Sequence, residues 1–106
     1  MHLSSEGALL RVQVPLELNA SNASPFRDFV RGALRDEHQR VDLDFSRTTF
    51  LDSSGLGALV ALHKALATRR GSIRILAARP EVRRVLELTH MHRLFDMAAD
   101  AATSTA

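Results

Sequence analysis

The sequence predicts an α/β domain with a mostly parallel or mixed sheet of four to five strands and three to four helices. Three observations carry this reading. The apolar pattern alternates between the period of a strand and the period of a helix, in the order strand, helix, strand, helix, strand, helix, short strand. The chain has 106 residues, which suits one domain. Its hydrophobic fraction of 45% and charged fraction of 25% are those of a chain that buries one core and does not stay disordered. Strands that alternate with helices pair in parallel through right-handed crossovers. No repeat, linker or low-complexity block interrupts the pattern, so residues 1–106 are read as a single domain, with a small, polar end from about Ala98 that frays or extends a weak helix.

Each element has its own signal. Leu9 to Val14 alternates apolar residues with Arg11 and Gln13, a half-buried strand. Residues 2–5 add a short edge strand through a turn at Glu6-Gly7, and Pro15 limits further pairing. Asn19 to Ser24 is a polar loop. Ser24 reads as a helix cap with Pro25 at the first helical position. Phe26, Phe29, Val30, Ala33 and Leu34 make the apolar face of a first helix that ends near Glu37. Val41, Leu43 and Phe45 alternate with Asp42 and Asp44, which places both acids on a wet face. Phe50-Leu51 is a short apolar segment.

Ser54 to about Thr68, rich in Ala and Leu, is the second helix. Leu59, Leu62 and Leu66 form its inner face, widened by Val60 and Ala67, and Gly71 is its stop. Ile73 to Ala77 is a strand. Pro80 opens a third helix with Val82, Val85, Leu86 and Thr89 inward. Leu94-Phe95 is a last short strand or docking segment.

Composition excludes several functions. With no cysteine there is no disulfide, thiolate metal site or Cys nucleophile, which fits a reducing cytoplasm. No apolar run approaches a membrane span and the N-terminus lacks a signal-peptide pattern, so the chain is expected to be cytoplasmic. The pI near 10.4 is high because 13 of the 14 basic residues are arginines and no Tyr or Cys is present. The net charge of +2 is the better guide to partners. Residues 1–52 carry a net −2 and residues 53–106 a net +4. A basic patch of Arg69, Arg70, Arg74, Arg79, Arg83 and Arg84 is the one nucleic-acid feature, and the five Phe that could stack bases read as core positions. The histidines lack metal-ligand spacing. His63 lies near the apolar face of its helix, as a half-buried packing residue or part of a partner surface, and His38 reads as a surface residue.

The informative stretch is Phe50-Leu51-Asp52-Ser53-Ser54-Gly55-Leu56-Gly57. A strand-to-helix junction here carries an acid, two hydroxyls and two glycines. Asp52 or Ser53 can cap the helix. Gly55 and Gly57 are poor helix formers, so their presence in the first turns suggests close approach of something to the backbone. A hydroxyl beside a helix N-terminus tolerates a phosphate, because free amides and the dipole stabilise added negative charge. The same residues also suit an ordinary cap. They make neither the Gly-x-Ser-x-Gly elbow of a hydrolase nor a Gly-Lys-Ser/Thr phosphate loop.

Phe50 to Gly57 resembles the phosphorylation motif of the STAS family, in particular of bacterial anti-sigma factor antagonists. Leu9 to Val14, Glu17-Leu18, Ala23, Val41 to Phe45, Gly71 to Ala77, Pro80 to Leu88 and Leu94-Phe95 resemble the family's other segments in order. The resemblance implies a STAS-like fold and a partner-switching role without catalysis or cofactor. It implies that Ser53, directly after the motif aspartate, accepts a phosphate, with Ser54 a minor acceptor. The implied partners are an anti-sigma factor with serine kinase activity and a metal-dependent serine phosphatase, with no direct contact to nucleic acid or membrane. Asn19, Asn22, Leu51, Asp52, Ser54, Gly55, Leu56 and Gly57 are the implied partner-binding residues. Where the family often has Gly-Glu-Leu-Asp, this chain has Leu16-Glu17-Leu18-Asn19, an amide in place of an acid. The alternative is a non-switching STAS module, a scaffold or transporter-associated subunit.

Overall fold

Gly7, at φ +58°, closes the turn between two antiparallel strands, β1 (Leu3–Glu6) and β2 (Leu9–Gln13). The computed structural model describes residues 2–98; most of the tail from Ala98 to Ala106, read above as fraying or weakly helical, lies outside the described residues. The chain continues through β3 (Glu17–Leu18), α1 (Ala23–Ala33), β4 (Arg40–Asp44), β5 (Phe50–Leu51), α2 (Ser53–Ala67), β6 (Ser72–Leu76), α3 (Pro80–Leu88), a 3₁₀ turn at Met91–Arg93, and β7 (Asp96–Met97). The main sheet has the order β1-β2-β4-β6-β7, and every pair beyond β1-β2 is parallel. β3 and β5 form a separate parallel pair.

The strand order moves one way across the sheet. Right-handed crossovers then place the connecting helices on one face. That face holds the core. Val12, Leu43 and Ile75 sit level on β2, β4 and β6, and all three are fully buried with Phe26, Leu59, Leu62 and Val82 from the helices. The opposite face carries the alternate residues, and there Arg11, Asp42, Arg74 and Asp96 stand level on four neighbouring strands.

Asp42 departs from the expected wet position, being wholly buried. Arg74 donates to it twice, Nε to Oδ1 at 3.2 Å and Nη2 to Oδ2 at 2.8 Å. Arg11 and Arg40 approach within 3.8 and 3.7 Å. Three long side chains thus roof the carboxylate. Burial of an acid is tolerable only with such partners. The hydrogen bonds that Arg74 donates to Asp42, and then the charges of Asp42 and Asp96, hold the Arg74 guanidinium above its ordinary range against the opposing effect of burial.

Other elements shift by a few residues for local reasons. α1 starts after Asn22, not Ser24, and Pro25 lies within its first turn. It ends at Ala33, short of Glu37, because Leu34 is extended and the following loop folds around His38. His38 is buried, not on the surface: its Nδ1 accepts from the Arg35 N–H at 3.0 Å and its Nε2 lies 2.7 Å from Ser5 Oγ. Phe29 is exposed, and in α2 the inner face widens through Gly55 and Ala58, not Ala67. Thr89 also faces outward, its hydroxyl donating back to the Val85 carbonyl.

The end of α2 uses Arg70 at φ +59° in the left-handed position expected of Gly71. Gly71 is needed for space, since a Cβ there would lie 2.8 Å from the Gln39 carbonyl oxygen. The last strand forms at Asp96–Met97, two residues past Leu94-Phe95. Phe95 is buried edge-on against the His63 ring, with centroids 5.9 Å apart, which makes His63 the half-buried packing residue its helix position suggested.

Candidate functional site

The loops at the carboxyl ends of parallel strands are where α/β folds place their sites. The small β3-β5 sheet lies at that edge. Its register pairs Glu17 with Phe50 and Leu18 with Leu51, and so carries Asn19 level with Asp52. The Asp52 N–H donates to the Leu18 carbonyl at 3.3 Å, which binds the two loops together.

Alternation decides what each residue of the motif can do. Leu18 and Leu51 point into the core, while Glu17 and Phe50 point out, Phe50 at 49% exposure. Asp52 is the N-cap of α2, and its Oδ1 accepts from the Gly55 N–H at 3.0 Å. The cap is therefore supplied by Asp52. Ser53, the first residue of the helix, is exposed, and its hydroxyl is not consumed by capping. Ser54 is half-buried one position on.

The two glycines have different roles. A Cβ on Gly55 would lie 2.6 Å from both the Leu18 carbonyl oxygen and Leu51 Cδ1, so the first turn of α2 sits directly on β3 and β5. Gly57 is exposed and faces open space. Of the two, only Gly57 is available for close approach by another molecule. Leu51 and Gly55 are buried and cannot offer contact surface; their part is to fix the turn.

Asn19 and Asn22 shape the loop before α1. Asn19 Oδ1 accepts from the Ser21 N–H and hydroxyl at 3.0 and 2.7 Å. Asn22 Oδ1 accepts from the Asn19 N–H at 2.9 Å, and its Nδ2 donates to the Glu17 carbonyl at 2.7 Å. An amide, with both a donor and an acceptor, makes this closure, and both bonds of Asn22 are to backbone. Beside the loop runs a groove of about 330 Å³ between Ala23, Ser24 and Arg27 of α1 and Ser54, Gly57 and Ala58 of α2.

Sequence reasoning missed Phe50 as a surface residue and Arg27 as a groove residue. A two-residue strand gives too little alternation to tell in from out, and Arg27 is placed by the packing of α1 on α2. Of the six arginines offered as a basic patch, three have partners within the chain. Arg69 donates to the Arg35 carbonyl at 2.6 Å, Arg74 binds Asp42 on the open sheet face, and Arg79 donates to the Ser46 carbonyl at 2.9 Å. Among the described residues no group of His, Asp or Glu is arranged to hold a metal ion, and no helix is long and apolar enough to cross a membrane.

An Asp-capped, serine-bearing helix start at the edge of a one-sided α/β sheet defines a class of domain, and comparison with known proteins gives the class its name. The STAS domain family matches residues 4–104, and the chain belongs to that family. A STAS-domain containing protein of Pseudomonas aeruginosa (strain UCBPP-PA14) is 30% identical over 96 residues, which span 90% of this chain and 93% of that one. Among solved structures, the anti-sigma factor antagonist SpoIIAA in its unphosphorylated form superposes with a TM-score of 0.80 at 22% identity, over 94% of this chain and 86% of its own. The phosphorylated form of the Bacillus cell fate determinant SpoIIAA gives 0.73 at 20% identity, over 94% and 89%. The STAS domain of a SulP transporter from Vibrio cholerae gives 0.62 at 20%, over 86% and 70%. At these identities the structural likenesses establish the fold.

Proposed function

We infer that this chain is an anti-sigma factor antagonist, a binding module without catalysis whose affinity for an anti-sigma factor is switched off by phosphorylation of Ser53. The observation that carries the reading is the exposed Ser53 hydroxyl at the start of α2, left free because Asp52 makes the cap. The existence of SpoIIAA in phosphorylated and unphosphorylated forms on the same fold supports it.

The physical switch is local. A phosphate adds about −1.5 to −2 charges and three acceptor oxygens. It would project beside Asp52, its acidic neighbour in the chain. A partner that docks over the unmodified turn would have to desolvate that charge, at a cost of several kcal/mol if it is left unpaired. The domain need not refold, since Ser53 is not part of the core. Phe50, Leu56 and Gly57 supply the contact surface, with Asn19, Asn22 and Ser54 at its margin. Phe50 takes the apolar contact role that burial denies Leu51. The partners are an anti-sigma factor with serine kinase activity and, for resetting, a metal-dependent serine phosphatase, all in the cytoplasm.

The test is phosphate mapping. The chain is incubated with the anti-sigma serine kinases of its source organism and ATP, then digested and read by mass spectrometry. Phosphate on Ser53, lost in Ser53→Ala, is the expected result; full phosphate incorporation in Ser53→Ala contradicts the assignment. The likeness to the Vibrio cholerae SulP domain favours a second reading, a constitutive transporter-associated module. That reading predicts no phosphate at all and binding that is indifferent to Ser53→Asp.

A further inference from the structure

Ser53 and Ser54 are adjacent, but successive helical positions point about 100° apart. Ser53 is exposed, whereas Ser54 is half-buried and lines the groove between α1 and α2. The opposite wall of that groove carries Arg27, the single charged residue among its lining; the rest are Ala, Ser and Gly. Arg27 Nε donates to Asp28 Oδ1 at 3.1 Å, between neighbouring side chains 34% and 66% exposed. A pair of that kind is weak, and a guanidinium has five N–H donors, so most of its capacity is uncommitted.

We propose that Ser54 is a modification site separate from Ser53, whose phosphate is held within the chain by Arg27 across the α1-α2 groove. The proposal deepens, and rests on, the reading of this turn as a phosphoacceptor. The phosphoryl group comes from a nucleoside triphosphate. A bond forms between Ser54 Oγ and the γ-phosphorus, the bond from that phosphorus to the bridging oxygen breaks, the nucleoside diphosphate leaves, and the hydroxyl proton passes to a base of the transferring kinase. The small walls leave room for the group, and a guanidinium binds phosphate through paired N–H donors. The two hydroxyls then give different outputs. A phosphate on Ser53 faces an incoming partner, while one on Ser54 is neutralised internally and fills the slot beside Gly57.

Phosphoserine incorporated during translation, at position 54 or at position 53, tests this without any kinase. The second ionisation of each phosphate is followed by ³¹P NMR against pH, with and without Arg27→Gln. An opposite charge at contact favours the dianion, so Arg27→Gln should raise the second pKa of phosphoserine 54 by about half a unit or more. Arg27→Lys should restore part of the difference, and phosphoserine 53 should be indifferent to both changes. Titration of phosphoserine 54 that ignores Arg27→Gln, or phosphoserine 53 that shifts equally, overturns the proposal. Because the phosphates are installed directly, the Arg27 contact is read whatever a kinase does; in the kinase experiment, a native chain labelled on Ser53 alone overturns Ser54 as a modification site, and a chain labelled nowhere overturns the preceding reading.

Discussion

Replacing Gly55 with alanine puts one methyl group where the chain has no room for it. The new Cβ would lie 2.6 Å from the Leu18 carbonyl oxygen, about 0.8 Å inside ordinary 3.4 Å contact, and 2.6 Å from Leu51 Cδ1. The leucine methyl can rotate away. The carbonyl cannot, because it belongs to β3 and accepts the Asp52 N–H. Overpacking of this kind costs about 1–3 kcal/mol, and alanine's better helix propensity returns about 0.5–1 kcal/mol. The difference spans about 0–2.5 kcal/mol with a midpoint near 1 kcal/mol, which lowers Tm by roughly 4–8 °C for a domain of this size. Gly57→Ala is the matched control. It adds the same methyl in open space, so only the propensity gain remains and Tm should rise by roughly 2–6 °C. Thermal unfolding followed by circular dichroism reads both. If both substitutions move Tm in the same direction, the packing account of this turn is wrong.

Arg74→Gln removes the two short bonds to Asp42 and should cost about 1–3 kcal/mol in urea unfolding. The sign with pH is set by the raised guanidinium: its contribution is complete below the guanidinium range and lost only as pH rises through it, so the penalty should be equal at pH 7 and pH 9. A penalty that halves between those values would contradict the pairing. His38→Ala opens a buried space and strips the Arg35 N–H of its acceptor, for a loss of about 2–4 kcal/mol with faster amide exchange over residues 35–39 and in β1. Unchanged exchange there would deny His38 its linking role. Phe50→Ser should leave unfolding within about 0.5 kcal/mol of the parent, since half the ring is exposed, yet weaken anti-sigma factor binding at least about tenfold. Unaltered affinity would remove Phe50 from the contact surface.

The elements were legible in the sequence wherever periodicity ran for four or more residues. β2, β4, β6 and α2 fall within a residue or two of their predicted bounds, because alternation and a Leu stripe each report a buried face directly. The errors came from tertiary contacts. α1 is shortened by a loop that wraps His38, and β7 is displaced by the docking of Phe95 on His63. Asp42 reads as a surface acid because nothing local to β4 announces that arginines from β2 and β6 will cover it. At the site, Asp52-Ser53-Ser54-Gly55 gave the cap and the helix start. It did not separate Gly55, packed on β3, from Gly57, open to solvent, nor show that Leu51 turns inward while Phe50 turns out. Those distinctions depend on the β3-β5 pairing, which brings together segments more than thirty residues apart.

The most direct measurement is a calorimetric titration of the purified anti-sigma kinase with this chain, once bearing serine and once bearing phosphoserine at position 53. The account predicts binding by the unmodified chain and a loss of about a hundredfold or more with phosphoserine, equivalent to several kcal/mol of uncompensated desolvation. Equal affinity of the two forms would contradict it.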